Sequence, residues 1–184
     1  LRAPINNSWG FLRPGLRVIH RSYALDNTLP GARDSAEITT SIASLDAGLV
    51  FEKDLRLFGR SGRQTLEPRI HYLYASNEDQ NDLPAFDSSL ITPGYQSLFR
   101  ENRFTGYDRI GDENRLAVGV TSRLFDYSTG RELLSVSLGQ IFHQSDREVS
   151  LNPANPTAQG LTDDNSPLFM DLVLSANHLR LRTS

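Results

Sequence analysis

Apolar side chains recur at every second position in five stretches of this chain. In 115–125, Leu116, Val118, Val120 and Leu124 fall on one face, and Ala117, Gly119, Thr121 and Arg123 on the other. In 131–143, Leu134, Val136, Leu138 and Phe142 oppose Ser135, Ser137 and Gly139; in 168–175, Leu168, Met170, Leu172 and Leu174 oppose Asp171 and Ser175. In 65–74, Leu66, Ile70, Tyr72 and Tyr74 oppose Thr65, Glu67, Arg69 and His71; in 41–52, Leu45, Ala47, Leu49 and Phe51 oppose Ser44, Asp46, Gly48 and Glu52. A period of two predicts half-buried strands. The stretch 16–25 is a weaker sixth, with Arg17 and Arg21 on the same face as Ile19 and Tyr23, and the start of a seventh follows 176–178, where the apolar phase switches. No stripe with the 3.6-residue period of a helix accompanies them, so the chain reads as all-β.

The connections alternate in length. A tight turn at 127–130 ends in Gly130, and 176–178 reads as a second. The segments 76–113 and 145–167 are long polar loops. The connection 53–63 reads as shorter than 76–113, and 26–39 as polar and flexible. Short turns on one edge and long loops on the other are the pattern of an up-and-down outer-membrane barrel, with periplasmic turns and extracellular loops. A soluble β-sandwich is the competing architecture, but structureless loops of this length are uncommon in compact domains. Tyr72, Tyr74, Phe125, Tyr127 and Phe142 stand near strand ends, where interface aromatics sit. Pro14 and Pro68 read as residues at the beginnings of strands rising from the periplasmic side, where a missing N–H does least harm.

Composition narrows the classes. Of 184 residues, 38% are hydrophobic, below the usual globular range, which fits a barrel with a polar lumen. The net charge of −3 gives no electrostatic case for nucleic acid. Cysteine is absent, and Lys53 is the only lysine. No run approaches the roughly 18 apolar residues of a membrane helix, but strands cross in about 9–11. The chain shows no signal-peptide pattern at Leu1. The four histidines His20, His71, His143 and His178 fall in no metal-ligand spacing, and no nucleophile elbow or phosphate loop occurs. The acidic runs 77–82 and 162–165 lack the ordered spacing of a calcium loop. No catalytic residue, metal or cofactor is expected, and the protein is not read as an enzyme.

The wording of the long loop is distinctive. Phe99-Arg100-Glu101-Asn102-Arg103-Phe104-Thr105-Gly106-Tyr107-Asp108-Arg109-Ile110-Gly111-Asp112-Glu113-Asn114-Arg115 resembles the hallmark loop of the LPS-assembly LptD family, also called organic solvent tolerance proteins. Gln64-Thr65-Leu66-Glu67-Pro68-Arg69-Ile70-His71-Tyr72-Leu73-Tyr74 is similar to the family's strand-opening motif. The stretches 82–87, 119–123, 137–142 and 145–149 resemble further family motifs in the same order. The resemblance is strongest over 41–151.

The resemblance implies a Gram-negative cell outer membrane protein with a periplasmic jellyroll and a very large barrel. It implies lipopolysaccharide as cargo, an LptE-type plug lipoprotein in the lumen, a periplasmic Lpt bridge reached through the jellyroll, contact with outer membrane lipids, and no covalent chemistry. Residues 1–184 are then one partial barrel domain: an antiparallel up-and-down transmembrane β-barrel segment of six to seven strands. It lacks the jellyroll and the family's disulfide cysteines. It ends inside a strand without a terminal aromatic, so it reads as a middle section of the wall with the lateral seam outside it. A generic porin or channel is the alternative, and a soluble β-sandwich binding module the second.

On this reading Leu45, Leu49, Leu116, Val118, Val120, Leu134, Val136, Leu138, Leu172 and Leu174 face lipid. Asp46, Glu67, Arg69, His71, Thr121, Arg123, Ser135, Ser137 and Asp171 face the lumen. Val118→Arg is expected to block assembly and Thr121→Arg to be tolerated. Arg103, Phe104, Gly106, Asp108, Arg109, Asp112, Asn114 and Arg115 mark the hallmark loop. Two roles are open to it: Arg103, Arg109 and Arg115 meet phosphates of lipopolysaccharide or carboxylates of the plug, or Arg103, Asp108, Arg109 and Asp112 pair within a structural cap on the barrel. Near-balanced charge favours the cap.

Overall fold

The computed structural model describes residues 1–24, 35–57, 60–80, 83, 87–106, 108–151, 161–176 and 179–183. Alternation becomes a single antiparallel sheet of nine strands: β1 (Ile5–Asn7), β2 (Gly10–Ala24), β3 (Ser35–Leu49), β4 (Phe51–Leu57), β5 (Arg60–Ala75), β6 (Glu113–Asp126), β7 (Glu132–His143), β8 (Phe169–Ala176) and β9 (Leu179–Thr183). The order is β1-β2-β3-β5-β6-β7-β8-β9, with β4 also on β5, so sequence neighbours pair except β3 and β4, which both lie on β5. A sandwich needs a second sheet over one face; among the described residues the strands form only one sheet. The one regular helical element described is a short 3₁₀ helix, Tyr95–Phe99. No described helix is long and apolar enough to cross a membrane. Strands β2, β3 and β5 run 15, 15 and 16 residues, longer than a crossing needs.

β3 and β4 behave as one strand broken at Val50. Gly48 pairs with Arg69 and Phe51 with Leu66, the same register carried across the gap. Pro68 lies on the facing stretch and has no N–H for the ladder, and the Val50 amide bonds instead to the Trp9 carbonyl at 2.8 Å. Six long strands are thus flanked by the short β1 and β9. Three expectations change. Most of 53–63 is strand, continued in β4 and β5, and 35–39 already belongs to β3. Pro14 and Pro68 lie inside β2 and β5, which begin at Gly10 and Arg60. The turn at 127–130 forms, with Gly130 at φ 66° and its amide bonded to the Asp126 carbonyl at 2.9 Å. The parts of 26–39 before Ser35, and Asn177 and His178 of the second turn, lie outside the described residues.

The register sorts side chains onto two faces. The row Leu45, Tyr72, Leu116 and Phe142 runs across four strands on one face, and Asp46, His71, Ala117 and Ile141 share the other. On the first face Leu45, Leu66, Ile70, Val118, Leu138, Met170 and Leu174 are each 38–48% exposed. On the second, two small cores form where the loops fold back: Ile42, Leu73 and Ala75 with Ile110, and Ala117 and Ile141 with Tyr95 and Leu98. Among the described residues, both buried apolar clusters therefore lie between the sheet and its own loops.

Candidate functional site

The loop between β5 and β6 turns inward over the second face. Its 3₁₀ helix sits where that face has no side chains: Gly119 on β6 pairs with Gly139 on β7. A Cβ on Gly139 would come within 2.5 Å of Leu98 Cδ1, and one on Gly119 within 2.8 Å of Phe99 Cζ. Leu98 is fully buried there. The Tyr95 hydroxyl and the Thr121 hydroxyl are 3.0 Å apart, and Thr121 and Ser137 are 2.9 Å apart. Phe99 meets Tyr95 edge-on with ring centroids at 5.6 Å, and His71 at 6.4 Å. Arg69 lays its guanidinium over the Phe99 ring at 4.0 Å, an attraction to the ring's quadrupole.

Beyond the helix the hallmark residues close on one another. Arg103 donates to Asp112 at 3.0 Å and to Glu113 at 2.9 Å, and also to the Asp112 and Val149 carbonyls. Asp112 accepts the backbone N–H groups of Glu148 at 2.8 Å and Val149 at 3.0 Å, which ties in the second long loop. Such charge-assisted bonds are about twice as strong as neutral ones. Arg115 donates to the Arg100 carbonyl at 2.5 Å and lies 3.6 Å from Glu113. The Arg109 guanidinium is spent on the backbone carbonyls of Gln80 and Leu83, not on Asp112. Burial pushes its pKa down, an arginine's charge persisting all the same. Asp108 accepts the Ser88 hydroxyl at 2.5 Å, and Asn114 accepts the Tyr72 hydroxyl at 3.0 Å. Phe104 is buried, with Arg103 over its ring at 4.9 Å. Gly106 has φ 72°, and a Cβ there would meet Asp87 at 2.5 Å, so glycine is required on two counts. Tyr107 lies outside the described residues.

Two amides complete the clasp. The Gln80 side chain donates to the Ile110 carbonyl at 2.7 Å and accepts the Ile110 N–H at 3.2 Å, copying a strand pairing. Asn102 does the same with the Arg109 carbonyl at 2.9 Å and the Gly111 N–H at 3.0 Å. Gln80, Asn102, Tyr95 and Leu98 were not singled out by sequence reasoning. The signal was present in Gly119 and Gly139: glycine on the polar face of two strands marks a close approach.

The nine residues expected toward the lumen share the loop-covered face. Asp46 and Arg69 form a two-pronged pair at 2.7 and 2.9 Å. Arg123 bridges Glu67 and, at 3.4 Å, Glu132. Thr121, Ser135, Ser137, His71 and Asp171 are buried. Thr121 is therefore no free position: a side chain larger than threonine meets Tyr95, so Thr121→Arg disturbs the loop docked there. The ten residues expected toward lipid share the opposite face. Among the described residues no group of three or more metal-ligating side chains forms.

One amphipathic up-and-down sheet, apolar on one face and roofed on the other by its own loops, has the architecture of a wall section of an outer-membrane-type β-barrel. Comparison with known proteins agrees: the LptD family, described as LPS transport system D, matches residues 1–179, and the chain belongs to it. It is 44% identical over 178 residues to an LPS-assembly protein LptD of Hahella chejuensis, covering 96% of this chain and 22% of that protein. It is 47% identical over 167 residues to an LPS-assembly protein LptD of Alcanivorax borkumensis, covering 91% of this chain and 22% of that protein. The chain thus spans about a fifth of the length of these relatives.

Proposed function

We propose that this chain is a section of the wall of a lipopolysaccharide translocon in the outer membrane of a Gram-negative bacterium. The barrel inserts lipopolysaccharide into the outer leaflet, without covalent chemistry. It receives its cargo through a periplasmic Lpt bridge and jellyroll, and an LptE-type lipoprotein fills the remaining lumen. The carrying observation is the inward loop docked on Gly119 and Gly139. It rests on the sheet's polar face, as suits a wall whose lumen is filled and shaped for one large cargo. The face bearing Leu45, Leu49, Leu116, Val118, Val120, Leu134, Val136, Leu138, Leu172 and Leu174 lies against acyl chains. The face bearing Asp46, Glu67, Arg69, His71, Thr121, Arg123, Ser135, Ser137 and Asp171 looks into the lumen. The hallmark loop is a structural clasp, its arginines held by Asp112, Glu113 and backbone carbonyls.

The test replaces residues 87–106 of the full-length protein by a short Gly/Ser linker in cells depleted of the native copy. Expected is a barrel that reaches the membrane while lipopolysaccharide accumulates behind it, read by labelling at the cell surface. A steady ion conductance of the unaltered full-length protein, with normal lipopolysaccharide at the surface of the variant cells, would favour a plain porin.

A further inference from the structure

The inner face carries a track of arginines that the clasp uses at one end only. On β2, Phe11, Arg13, Gly15, Arg17, Ile19 and Arg21 share this face by register with Gly48, Asp46, Ser44, Ile42, Thr40 and Ile38. Residues four apart on a strand stand about 13 Å apart, so Arg13, Arg17 and Arg21 form a ladder along the wall. Arg21 is taken up by the loop, donating to the Asp108 carbonyl at 2.8 Å and to Gln80 at 3.1 Å. Arg13 and Arg17 keep half their side-chain surface open, 50% and 54%. Arg2 and Arg17 both close on Glu101, at 3.0 and 3.1 Å. Arg13 and Arg69 share Asp46, at 4.0 and 2.7 Å. Arg100 has no ion-pair partner among the described residues; with Arg17 and Glu101 it lines a groove of about 410 Å³ between β2 and the hallmark loop. Five guanidiniums thus stand over two carboxylates. The clasp around Arg103, by contrast, is close to balanced.

We infer that Arg13, Arg17 and Arg100 form a binding track for the anionic sugar portion of the cargo, taking phosphate or sugar-carboxylate groups in passing. The inference rests on the proposed transport of a glycolipid. The planar guanidinium fork matches phosphate and carboxylate in a two-pronged fashion. Arg13 donates twice to the Asn6 amide oxygen, at 3.2 and 3.0 Å, a neutral partner that an oxyanion can replace, while Arg17 and Arg100 face the groove. Exposed pairs of this kind are individually weak, so a passing anion can displace one without a large cost. Spacing along the strand offers successive contacts and no single tight site, which suits a cargo that must leave.

The experiment uses the full-length protein with its partner lipoprotein and bridge, reconstituted in vesicles. The probes are lipopolysaccharide with its sugar phosphates intact and the same lipopolysaccharide stripped of them by hydrofluoric acid. The compared forms are the native protein and the triple variant R13Q/R17Q/R100Q, each first shown to be a closed barrel by heat-modifiable mobility. Expected is a preference of the native protein for the phosphorylated lipid, falling about tenfold in the variant. An equal preference in both forms overturns the track and leaves the transport reading standing. Movement of neither lipid by the native protein overturns the transport reading, and the track with it. Loss of the partner lipoprotein from the variant overturns the track in favour of a protein-docking face.

Discussion

Gly119 and Gly139 face each other across β6 and β7, and together they leave a bare patch on the wall into which Leu98 fits. Gly139→Val puts a branched side chain where Leu98 Cδ1 lies 2.5 Å from the nearest added carbon. Overpacking costs about 1–3 kcal/mol, and here it falls on the loop. Expected is a barrel that still integrates but whose loop is cut by protease added from outside.

The same substitution on two faces fails in two ways. Val118→Arg places a charge among Leu116, Val120 and Leu138 on the outer face, at about 2–4 kcal/mol near mid-bilayer. That variant is expected not to integrate. Thr121→Arg, on the inner face, displaces Tyr95 and is expected to integrate with its loop released. Integration of Val118→Arg at native levels in a membrane fractionation would contradict the assignment of the faces.

Asp112 is the junction of the two long loops, holding Arg103 and the amides of Glu148 and Val149. A double-mutant cycle on Arg103 and Asp112 is expected to show strong coupling, since removing one partner of a buried pair costs about 3–5 kcal/mol. A cycle on Arg109 and Asp112 is expected to show coupling near zero, because Arg109 is bonded to carbonyls of the preceding stretch. Chemical unfolding of the full-length barrel reads both.

Gln80→Leu keeps the bulk of the amide and removes its two bonds to Ile110. It leaves a buried N–H and C=O unpaired, at about 1–3 kcal/mol. Hydrogen exchange at the Ile110 amide should rise sharply, with that at Ala117 unchanged.

The Asp87 carboxyl is raised above the usual aspartate range by its hydrogen bond and charge contact with Asp108. A raised acid pKa means the folded loop holds the proton more tightly than the unfolded one. Its contribution is therefore present below the unfolded aspartate value, about 3.9, and is lost as pH rises through the folded value. Asp87→Asn is expected to protect the loop from protease at neutral pH, with no gain at pH 3.

The strands were legible because a wall between water and lipid imposes a period of two on every crossing. Val118 and Leu138 could be placed opposite Thr121 and Ser137 from spacing alone. The ends were less legible: β3 and β5 extend well past the apolar runs, where polar residues such as Glu37 and Arg63 continue the ladder. The site was half legible. The hallmark wording marked Arg103 and Asp112, but nothing local tells that Arg109 turns to Gln80, 29 residues away. That partner depends on how the loop folds back. The inward direction of the loop was written only in the two glycines, and their meaning needs the register that aligns them.

The docking of the loop also dates its own folding. Tyr95 meets Thr121 across 26 residues of sequence, and Asp112 meets Val149 across 37. Most partners of the clasp lie on β5, β6 and β7 and their loops, and Arg21 of β2 joins them at Asp108 and Gln80. Short-range contacts close early and cheaply in loop entropy. Most of the loop's anchors can therefore be seated on the open sheet, before its edges meet any further strand.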